Sequence, residues 1–139
     1  MQDKIIVDGI DKMDFEKVTS MLSKADWSKG IKIDEVKEGA ENSALVVGAF
    51  IDNEQVGYAR VISDIVRFAY ISDVYVDENY RGQGIAKMMM QYIMNHERLE
   101  RVYKWLLMSY AHELYKGFGF DNLKNTEQWL AISKERPER

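Results

Sequence analysis

The hydrophobic pattern of the first forty residues is that of helices preceded by one short strand. Apolar residues recur at helical spacing over 14–22 and, more weakly, over 33–42, which predicts two helices with one buried face each. Asp14 stands just before the first stripe and belongs to the residue types that cap a helix N-terminus. The apolar run at 5–7 predicts a strand ahead of both helices.

The period then changes to that of strands. Residues 44–51 and 56–62 are rich in β-branched side chains and flank a turn at 52–54, which predicts an antiparallel hairpin. Residues 68–76 alternate in the same way and predict the next strand.

The second half of the chain mixes both periods. Its pattern predicts a glycine-rich loop at 81–86, a helix at 88–94, a strand at 102–108, a short helix at 111–116 and a last strand at 129–132. The sequence of elements is that of a mixed α/β fold with one strand–helix–strand crossover.

Length and composition limit the possible classes of protein. The chain has 139 residues, 46% of them hydrophobic and 30% charged, which fits one domain over residues 1–139 with a core of its own. The formal net charge of −4 offers no general surface for nucleic acid. No apolar run reaches the ~18 residues of a membrane span, and the first residues lack a secretory pattern, so we expect a cytoplasmic protein.

The absence of cysteine removes several chemistries. With no Cys in the sequence, a disulfide framework, a thiolate metal site and a cysteine nucleophile are excluded. Only two histidines, His96 and His112, are present, which argues against a zinc site. We therefore expect no metal.

The stretch 74–86 carries the clearest chemistry. A predicted strand runs into a loop containing Gly82 and Gly84, and a helix follows directly. Such a loop lets the backbone approach a ligand, and the unpaired N–H groups of a helix N-terminus attract anions, with Arg81 adding a positive charge. A tight turn that merely requires glycine remains the alternative. Because Lys87 stands where a dinucleotide-binding loop has its third glycine, that fingerprint is not matched.

The sequence resembles the GNAT superfamily of acyl-CoA-dependent N-acetyltransferases. The segments that carry the resemblance are 73–76, 80–86 and 111–120. Arg81, Gly84 and Ala86 match the superfamily's acetyl-CoA motif Arg/Gln-x-x-Gly-x-Gly/Ala. Residues 57–64 and 68–70 are further similar to a subgroup of small bacterial members whose substrates are poorly defined.

The resemblance implies a fold and an activity. The GNAT fold has a central, mostly antiparallel twisted sheet with a βαβ crossover, flanked by helices. The implied reaction transfers an acetyl group from acetyl-CoA to a primary amine of a small molecule or peptide, by direct attack in a ternary complex. No nucleic acid or membrane partner is implied, and a homodimer is compatible with the resemblance because dimers are common among similar domains.

The resemblance also implies which residues bind the acetyl donor. Val74 and Val76 would follow the pantetheine arm, and the loop would cradle the pyrophosphate. A free backbone N–H near Val74 would stabilise the oxyanion that forms as the amine attacks. The implied set is Val74, Val76, Arg81, Gly82, Gln83, Gly84, Ile85, Ala86 and Tyr115.

Three residues are candidates for proton transfer. Tyr115 matches the tyrosine that protonates the departing thiolate in many members; a ring that only packs under the following turn is the alternative. An alkylammonium has a pKa of ~10 and must lose a proton, for which Asp73 and His112 are candidate bases. Strict alternation places Asp73 on one strand face with Ile71 and Tyr75, where partial burial would raise the pKa of its carboxyl.

Alternatives for both bases stay open. Asp73 could instead pair with a lysine or arginine, His112 could cap or pack the short helix, and the base could act through ordered water. The sequence also departs from many members at Met108, where they carry Asn; Ser109 is a substitute shifted by one residue.

The acceptor side and the rival functions are less defined by the sequence. Aromatic residues on segments that border the acceptor cleft in the superfamily are Trp27, Tyr58, Phe68, Tyr70 and Tyr110. One rival function is an acetyl-CoA-binding sensor or regulatory module with little transferase activity. The other is an antitoxin-like or scaffold protein that keeps the fold without the ligand.

Overall fold

Helices cover both faces of one open sheet. The computed structural model describes residues 3–139, so the first two residues of the domain predicted over 1–139 lie outside it. The helices and strands, in chain order, are β1 (Lys4–Asp8), α1 (Phe15–Leu22), α2 (Ile33–Glu41), β2 (Leu45–Ile51), β3 (Glu54–Ser63), β4 (Phe68–Val76), α3 (Ile85–Met94), β5 (Lys104–Leu106) and α4 (His112–Lys116).

The topology confirms the predicted mixed α/β class. The strands lie in the order β1-β2-β3-β4-β5, and each neighbouring pair from β1 to β4 is antiparallel. β4 and β5 are parallel and are joined by α3, because parallel neighbours require a crossover connection. The sheet is therefore mostly antiparallel with one βαβ crossover, as the resemblance implied.

Two hydrophobic clusters hold the helices to the sheet. The α3-side cluster contains Met89 and Ile93 with inward residues of the strands. The α1/α2-side cluster contains Leu22 and Val36 with Val46 and other residues of the opposite sheet face. Burying each such side chain contributes about 1.5–3 kcal/mol, so the sheet is fixed between its helices from both sides.

Most predicted elements are confirmed, with shifted ends. Asp14 caps α1, since its side chain accepts a hydrogen bond from the Lys17 N–H at 3.2 Å. α3 begins at Ile85 rather than at Met88, directly after the glycine loop. β5 covers only Lys104–Leu106 of the seven residues predicted, because only this part of the chain pairs with β4.

The predicted strand at 129–132 is wrong. Trp129 follows a 3-10 turn and its ring lies 5.3 Å from the Lys104 ammonium group, yet no ladder joins this segment to another strand within residues 3–139. Leu130 is 95% exposed. A β-rich sequence favours extended backbone, whereas a strand also requires a hydrogen-bonded neighbour.

A β-bulge in β4 also overturns the predicted strand faces. The register of β4 against β3 shifts by one residue between Tyr58 and Arg60, and Asp73 takes a left-handed conformation with φ 58°. Ile71 therefore belongs to the α3-side cluster, while Tyr75 packs against the α1/α2-side cluster. The prediction that Ile71, Asp73 and Tyr75 share one face fails because an inserted residue reverses the alternation.

A polar cluster fastens β1 to the end of α3. The Tyr92 hydroxyl donates a hydrogen bond to the Asp8 carboxylate, and His96 Nε2 lies 3.0 Å from the same oxygen. His96 Nδ1 accepts from the Arg98 N–H at 3.1 Å, so Nε2 carries the proton and donates to Asp8. Mainly through the Tyr92 hydrogen bond, the pKa of Asp8 is lowered, and that bond raises the pKa of Tyr92 to about 12.

Replacing Tyr92 by Phe is expected to lower the free energy of unfolding at pH 7 by about 1.5 kcal/mol, the lower range for a hydrogen bond to a charged group. Because the folded pKa of Asp8 lies below its usual 3.8, the stabilisation is present above pH ~4 and lost as the pH falls through the folded pKa. Urea unfolding at pH 7 and pH 2.5 measures both effects. The difference between wild type and variant should shrink at the lower pH.

The control is Tyr110→Phe, which removes the hydroxyl of a fully exposed ring. We expect its unfolding free energy to equal that of the wild type. An equal loss in Tyr92→Phe at both pH values would show that the ionised form of Asp8 does not contribute.

Candidate functional site

β4 and β5 separate and leave a cleft between them. Their parallel ladder ends where Tyr70 pairs with Leu106. From there to Val76, β4 has no strand partner on its β5 side within the described residues. A cleft of about 640 Å³ opens along this edge, and we call it the donor cleft. Backbone N–H and C=O groups on such an edge are available to a ligand, except the Val76 carbonyl, which accepts a hydrogen bond from Arg81.

The donor cleft brings together most of the residues predicted to bind the acetyl donor. Those that line it are Val74, Val76, Arg81, Gly82, Gly84, Ile85, Ala86 and Tyr115. Gln83 is not among the lining residues, and its carbonyl oxygen accepts a hydrogen bond from the Lys4 ammonium group at 3.2 Å. Asp73 and His112 do not line the cleft either.

The glycine loop has the geometry of an anion-binding cradle. Gly82 and Gly84 both have φ +78°, and no heavy atom lies within 4 Å of the position that a Cβ would take at either. The first N–H of α3 with a helical partner is that of Met88, which donates to the Gly84 carbonyl at 3.0 Å. The preceding N–H groups are therefore free for a ligand, as at other helix N-termini that bind phosphate.

Arg81 is held at the entrance of this cradle. Its Nε donates to the Val76 carbonyl at 3.0 Å, and its guanidinium lies 5.1 Å above the Tyr75 ring. Lys24 and Lys87 also line the cleft. With Arg81 they give the lining three cations against the two carboxylates of Asp26 and Glu78, a local excess of positive charge on an acidic chain. Lys24 was missed by the sequence analysis, since only the packing of α1 against the sheet brings it here.

An ion-pair network fixes the chain just before the cradle. The Lys17 ammonium group lies 2.6 Å from the Asp77 carboxylate and 3.1 Å from Glu54. The Tyr80 hydroxyl donates to Glu54 at 3.1 Å, and Asp77 accepts from the Asn79 N–H at 2.9 Å. The hydrogen bond from Lys17 holds the pKa of Asp77 below its usual value. The loop is thereby tied to both α1 and β3.

Tyr115 is a buried residue in the lining of the donor cleft. It is 6% exposed, and its ring meets Phe120 edge to face with centroids 6.2 Å apart. Burial raises the pKa of its phenol, and a hydrogen bond with the Ser109 side chain offsets part of this increase. A phenol with a raised pKa keeps its proton at neutral pH and is therefore able to act as a proton donor.

Ser109, not Met108, faces the donor cleft. Met108 is 84% exposed and does not line it. The Ser109 side chain lines the cleft beside Tyr115, and its hydroxyl oxygen accepts from the Ala111 N–H at 3.0 Å. The shift by one residue recorded in the sequence therefore places a hydroxyl at this position.

Asp73 forms an ion pair with Arg60 and does not line the donor cleft. Its Oδ2 is 2.8 Å from Arg60 Nε, and its side chain is only 12% exposed. Its Oδ1 accepts from the Trp27 indole N–H at 2.9 Å. Both carboxylate oxygens are engaged, and the pairing with arginine is the alternative that the sequence left open. The arrangement does not support a role for Asp73 as general base.

His112 lies in a second cleft. This cavity of about 810 Å³ lies beside β5 and α4 and shares only Ser109 and Tyr115 with the donor cleft. His112 is exposed at the start of α4. His112 does not line the donor cleft. Its position therefore does not support a role as general base.

Of the five aromatic residues considered for the acceptor side, Trp27 lines the donor cleft. Tyr58 is 1% exposed and belongs to the α1/α2-side cluster. Phe68, Tyr70 and Tyr110 do not line it. Of these five residues, Trp27 on the loop between α1 and α2 is therefore the one that contributes to the lining of the donor cleft.

Neither a membrane-spanning helix nor a metal-binding cluster is present among the described residues. Residues 3–139 contain no helix long and apolar enough to cross a membrane. In the same range, no three His, Asp or Glu side chains are grouped closely enough to hold a metal ion.

The model of the acetyltransferase (GNAT) family matches residues 13–120. The chain therefore belongs to the GNAT acetyltransferase family, which confirms the resemblance.

Several proteins of known structure are similar to this chain. The chain is 32% identical to a GNAT-family protein of known structure from Xanthomonas campestris pv. campestris, with TM-score 0.90 over 96% of this chain and 95% of that one. A Clostridium acetobutylicum protein whose crystal structure contains acetyl-CoA shares the fold, with TM-score 0.68 and 19% identity over 96% of each chain.

A curated relative is an uncharacterised N-acetyltransferase, ycf52-like, from Prochlorococcus marinus, 31% identical over 86 residues. The match covers 59% of this chain and 47% of the relative. The chain thus spans about half the length of the curated relatives it matches.

Proposed function

We propose that residues 1–139 act as one domain that transfers an acetyl group from acetyl-CoA to a primary amine. One observation carries the proposal: a single cleft is lined by an anion cradle, by the unpaired edge of β4 and by the buried phenol of Tyr115. A co-substrate with a polyanionic head, a polar arm and a reactive thioester requires this arrangement of groups.

The residues of the cradle fit the head of acetyl-CoA. The free N–H groups at the start of α3 and the guanidinium of Arg81 would hold the pyrophosphate. The open space beside Gly82 and Gly84 lets the backbone come close to phosphate oxygens. Val74 and Val76 would offer backbone groups to the pantetheine arm.

Acetyl-CoA supplies an activated thioester. The amine nitrogen attacks the carbonyl carbon, the C–N bond forms, and the C–S bond breaks. A backbone N–H near Val74 would hydrogen-bond the carbonyl oxygen as negative charge develops there. Tyr115 would give its proton to the leaving sulfur. No covalent enzyme intermediate is needed, in keeping with a chain that has no cysteine.

The proton of the acceptor ammonium is proposed to leave through water. Asp73 is paired with Arg60, and His112 lies in the second cleft, so neither faces an amine in the donor cleft. We therefore assign no side chain as general base. The class of acceptor, a small molecule or a peptide with a primary amine, stays a prediction from the sequence, as do a homodimer and a cytoplasmic location.

Thiol release in the presence of acetyl-CoA tests the proposal. The protein contains no cysteine, so a thiol reagent reports free CoA without a background from the protein. The acceptors would be spermidine, kanamycin, a dipeptide with a free amino terminus and Nα-blocked lysine. We expect release above the acceptor-free rate for at least one of them, confirmed by mass spectrometry of the acetylated amine.

Thermal unfolding with acetyl-CoA separates the proposal from its rivals. Acetyl-CoA at 100 times its dissociation constant is expected to add ~2.7 kcal/mol to the unfolding free energy, while pantothenate, which lacks the phosphates, adds little. Stabilisation without turnover on any amine would favour the sensor module. No stabilisation at millimolar acetyl-CoA would contradict both enzyme and sensor and favour an interaction module.

A further inference from the structure

The loop between α1 and α2 contributes to the lining of the donor cleft. We call residues 23–32 the acceptor loop; its central residues Ala25, Asp26 and Trp27 line the cleft. The loop is braced within itself, since the Gly30 N–H donates to the Ser23 carbonyl at 2.9 Å. The loop is thus a preformed unit: Ile31 packs against the α1/α2-side cluster, and the central part of the loop has a separate attachment to β4.

A hydrogen bond from Trp27 supplies this attachment. Its indole Nε1–H donates to Asp73 Oδ1 at 2.9 Å. Within residues 3–139 no other hydrogen bond joins the acceptor loop to the sheet. The ring also meets Tyr75 edge to face, with centroids 6.3 Å apart. Trp27 is nevertheless 48% exposed, so part of the indole remains open to a ligand.

Asp73 is itself held in the orientation that receives Trp27. The bulge gives it φ 58°, a conformation that costs a non-glycine residue energy and must be compensated by its surroundings. Arg60 pairs with it through Nε at 2.8 Å. Arg60 also donates to the Ser43 hydroxyl oxygen at 3.3 Å and to the Gly39 carbonyl at 3.5 Å, which anchors it to the end of α2.

We propose that Asp73 is a positioning residue that fastens the acceptor loop to β4 through Trp27, so that the indole forms the wall against which the acceptor amine is bound. This inference rests on the proposed function, because it requires that the acceptor amine enters between the acceptor loop and β4. The half-exposed indole suits an acceptor that places an apolar or cationic group on an aromatic face. Asp73 then acts on acceptor binding rather than on proton transfer.

Two variants separate positioning from base catalysis. Trp27→Phe removes the N–H donor and keeps an aromatic ring, and Asp73→Ala removes the acceptor of that hydrogen bond together with the ion pair to Arg60. The matched control is Trp129→Phe, which makes the same change beside Lys104, away from the donor cleft. The first readout is hydrogen exchange of the amides of residues 24–31, which needs no acceptor. We expect both variants, but not the control, to exchange about tenfold faster there.

The second readout is kinetic, with the fastest of the four amines named above. For both variants we expect the acceptor KM to rise about fivefold to tenfold, the loss typical of one hydrogen bond. The kcat, its pH profile and the acetyl-CoA Kd should stay within twofold of the wild type. The double variant should show no larger KM than the stronger single variant, because both break one attachment.

Two results would overturn the proposal. A kcat reduced about 100-fold in Asp73→Ala, with Trp27→Phe like the wild type, would make Asp73 the general base. Unchanged exchange of the acceptor loop in Trp27→Phe would show that the indole hydrogen bond does not hold the loop. Trp27→Phe leaves the pair between Asp73 and Arg60 in place, so it decides the question even if Asp73→Ala fails to fold. Absence of turnover on every amine contradicts the proposed function alone, since the exchange readout still decides the attachment.

Discussion

Replacing Tyr115 by Phe is expected to lower kcat about 100-fold and to leave the acetyl-CoA Kd unchanged. The phenol is buried at the reactive end of the donor cleft and keeps its proton at neutral pH. General acid catalysis typically contributes 10²- to 10⁴-fold. We expect an effect at the low end of this range, because a thiolate is a fair leaving group. It can depart without receiving a proton from Tyr115, although more slowly. Steady-state rates of CoA release with the best amine measure the effect.

The pH dependence gives this prediction a second test. Burial raises the pKa of Tyr115 above its ordinary 10.0, so the acid form is present below that value and is lost as the pH rises through the folded pKa. The wild-type kcat should therefore not fall between pH 7 and pH 10. A drop centred in that range would assign the proton to a more acidic group.

A second tyrosine serves as control for Tyr115→Phe. Tyr103 is 71% exposed, and Tyr103→Phe also removes one hydroxyl from an aromatic ring. Its kcat should equal that of the wild type. If Tyr115→Phe retained full turnover on the same amine, the phenol would only pack against Phe120 and the acid would be water.

The anion cradle was predictable because its signal is local. Glycine at 82 and 84, an arginine before them and a helix after them are consecutive in the sequence. Positive φ at both glycines and a helix beginning at Ile85 follow from these few residues. Tyr115 was likewise identified by its place in a contiguous motif. Sequence reasoning succeeded where one short segment contains both the structural and the chemical information.

The environment of Asp73 could not be predicted because it depends on strand register. A single inserted residue in β4 turns its carboxylate from the face of Ile71 towards Arg60 and Trp27. Neither partner is near it in the sequence. The strict alternation used to place Asp73 contains no signal for a bulge, since the strand's composition is the same with or without one.

Two other lining residues of the acceptor loop were missed for a related reason. Lys24 and Asp26 lie just after α1, where nothing in the sequence distinguishes them from solvated loop residues. They become lining residues only because α1 packs on the sheet face next to β4. The failed strand at 129–132 illustrates the same limit, because strand propensity does not supply a hydrogen-bonding neighbour.

Replacing Gly84 by Ala is expected to weaken acetyl-CoA binding about 10- to 100-fold. Gly84 is the N-cap of α3 and has φ +78°, and a Cβ there would project into open space at the cradle rather than into protein atoms. A phosphate could then no longer approach the first N–H groups of α3. Losing one or more hydrogen bonds to a charged group costs about 1.5–3 kcal/mol, which corresponds to that change in Kd. Calorimetric titration with acetyl-CoA gives the value.

Backbone strain from Gly84→Ala must be separated from lost binding. The left-handed conformation costs alanine about 1–2 kcal/mol, which lowers stability but not affinity. Gly119 provides the matched control, because it has φ +95° and nothing within 4 Å of its Cβ position, yet it does not line the donor cleft. The Gly119→Ala variant should lose the same amount of stability as Gly84→Ala. Its affinity for acetyl-CoA should equal that of the wild type. Equal affinities of the two variants would mean that the space beside Gly84 is not occupied by the phosphates.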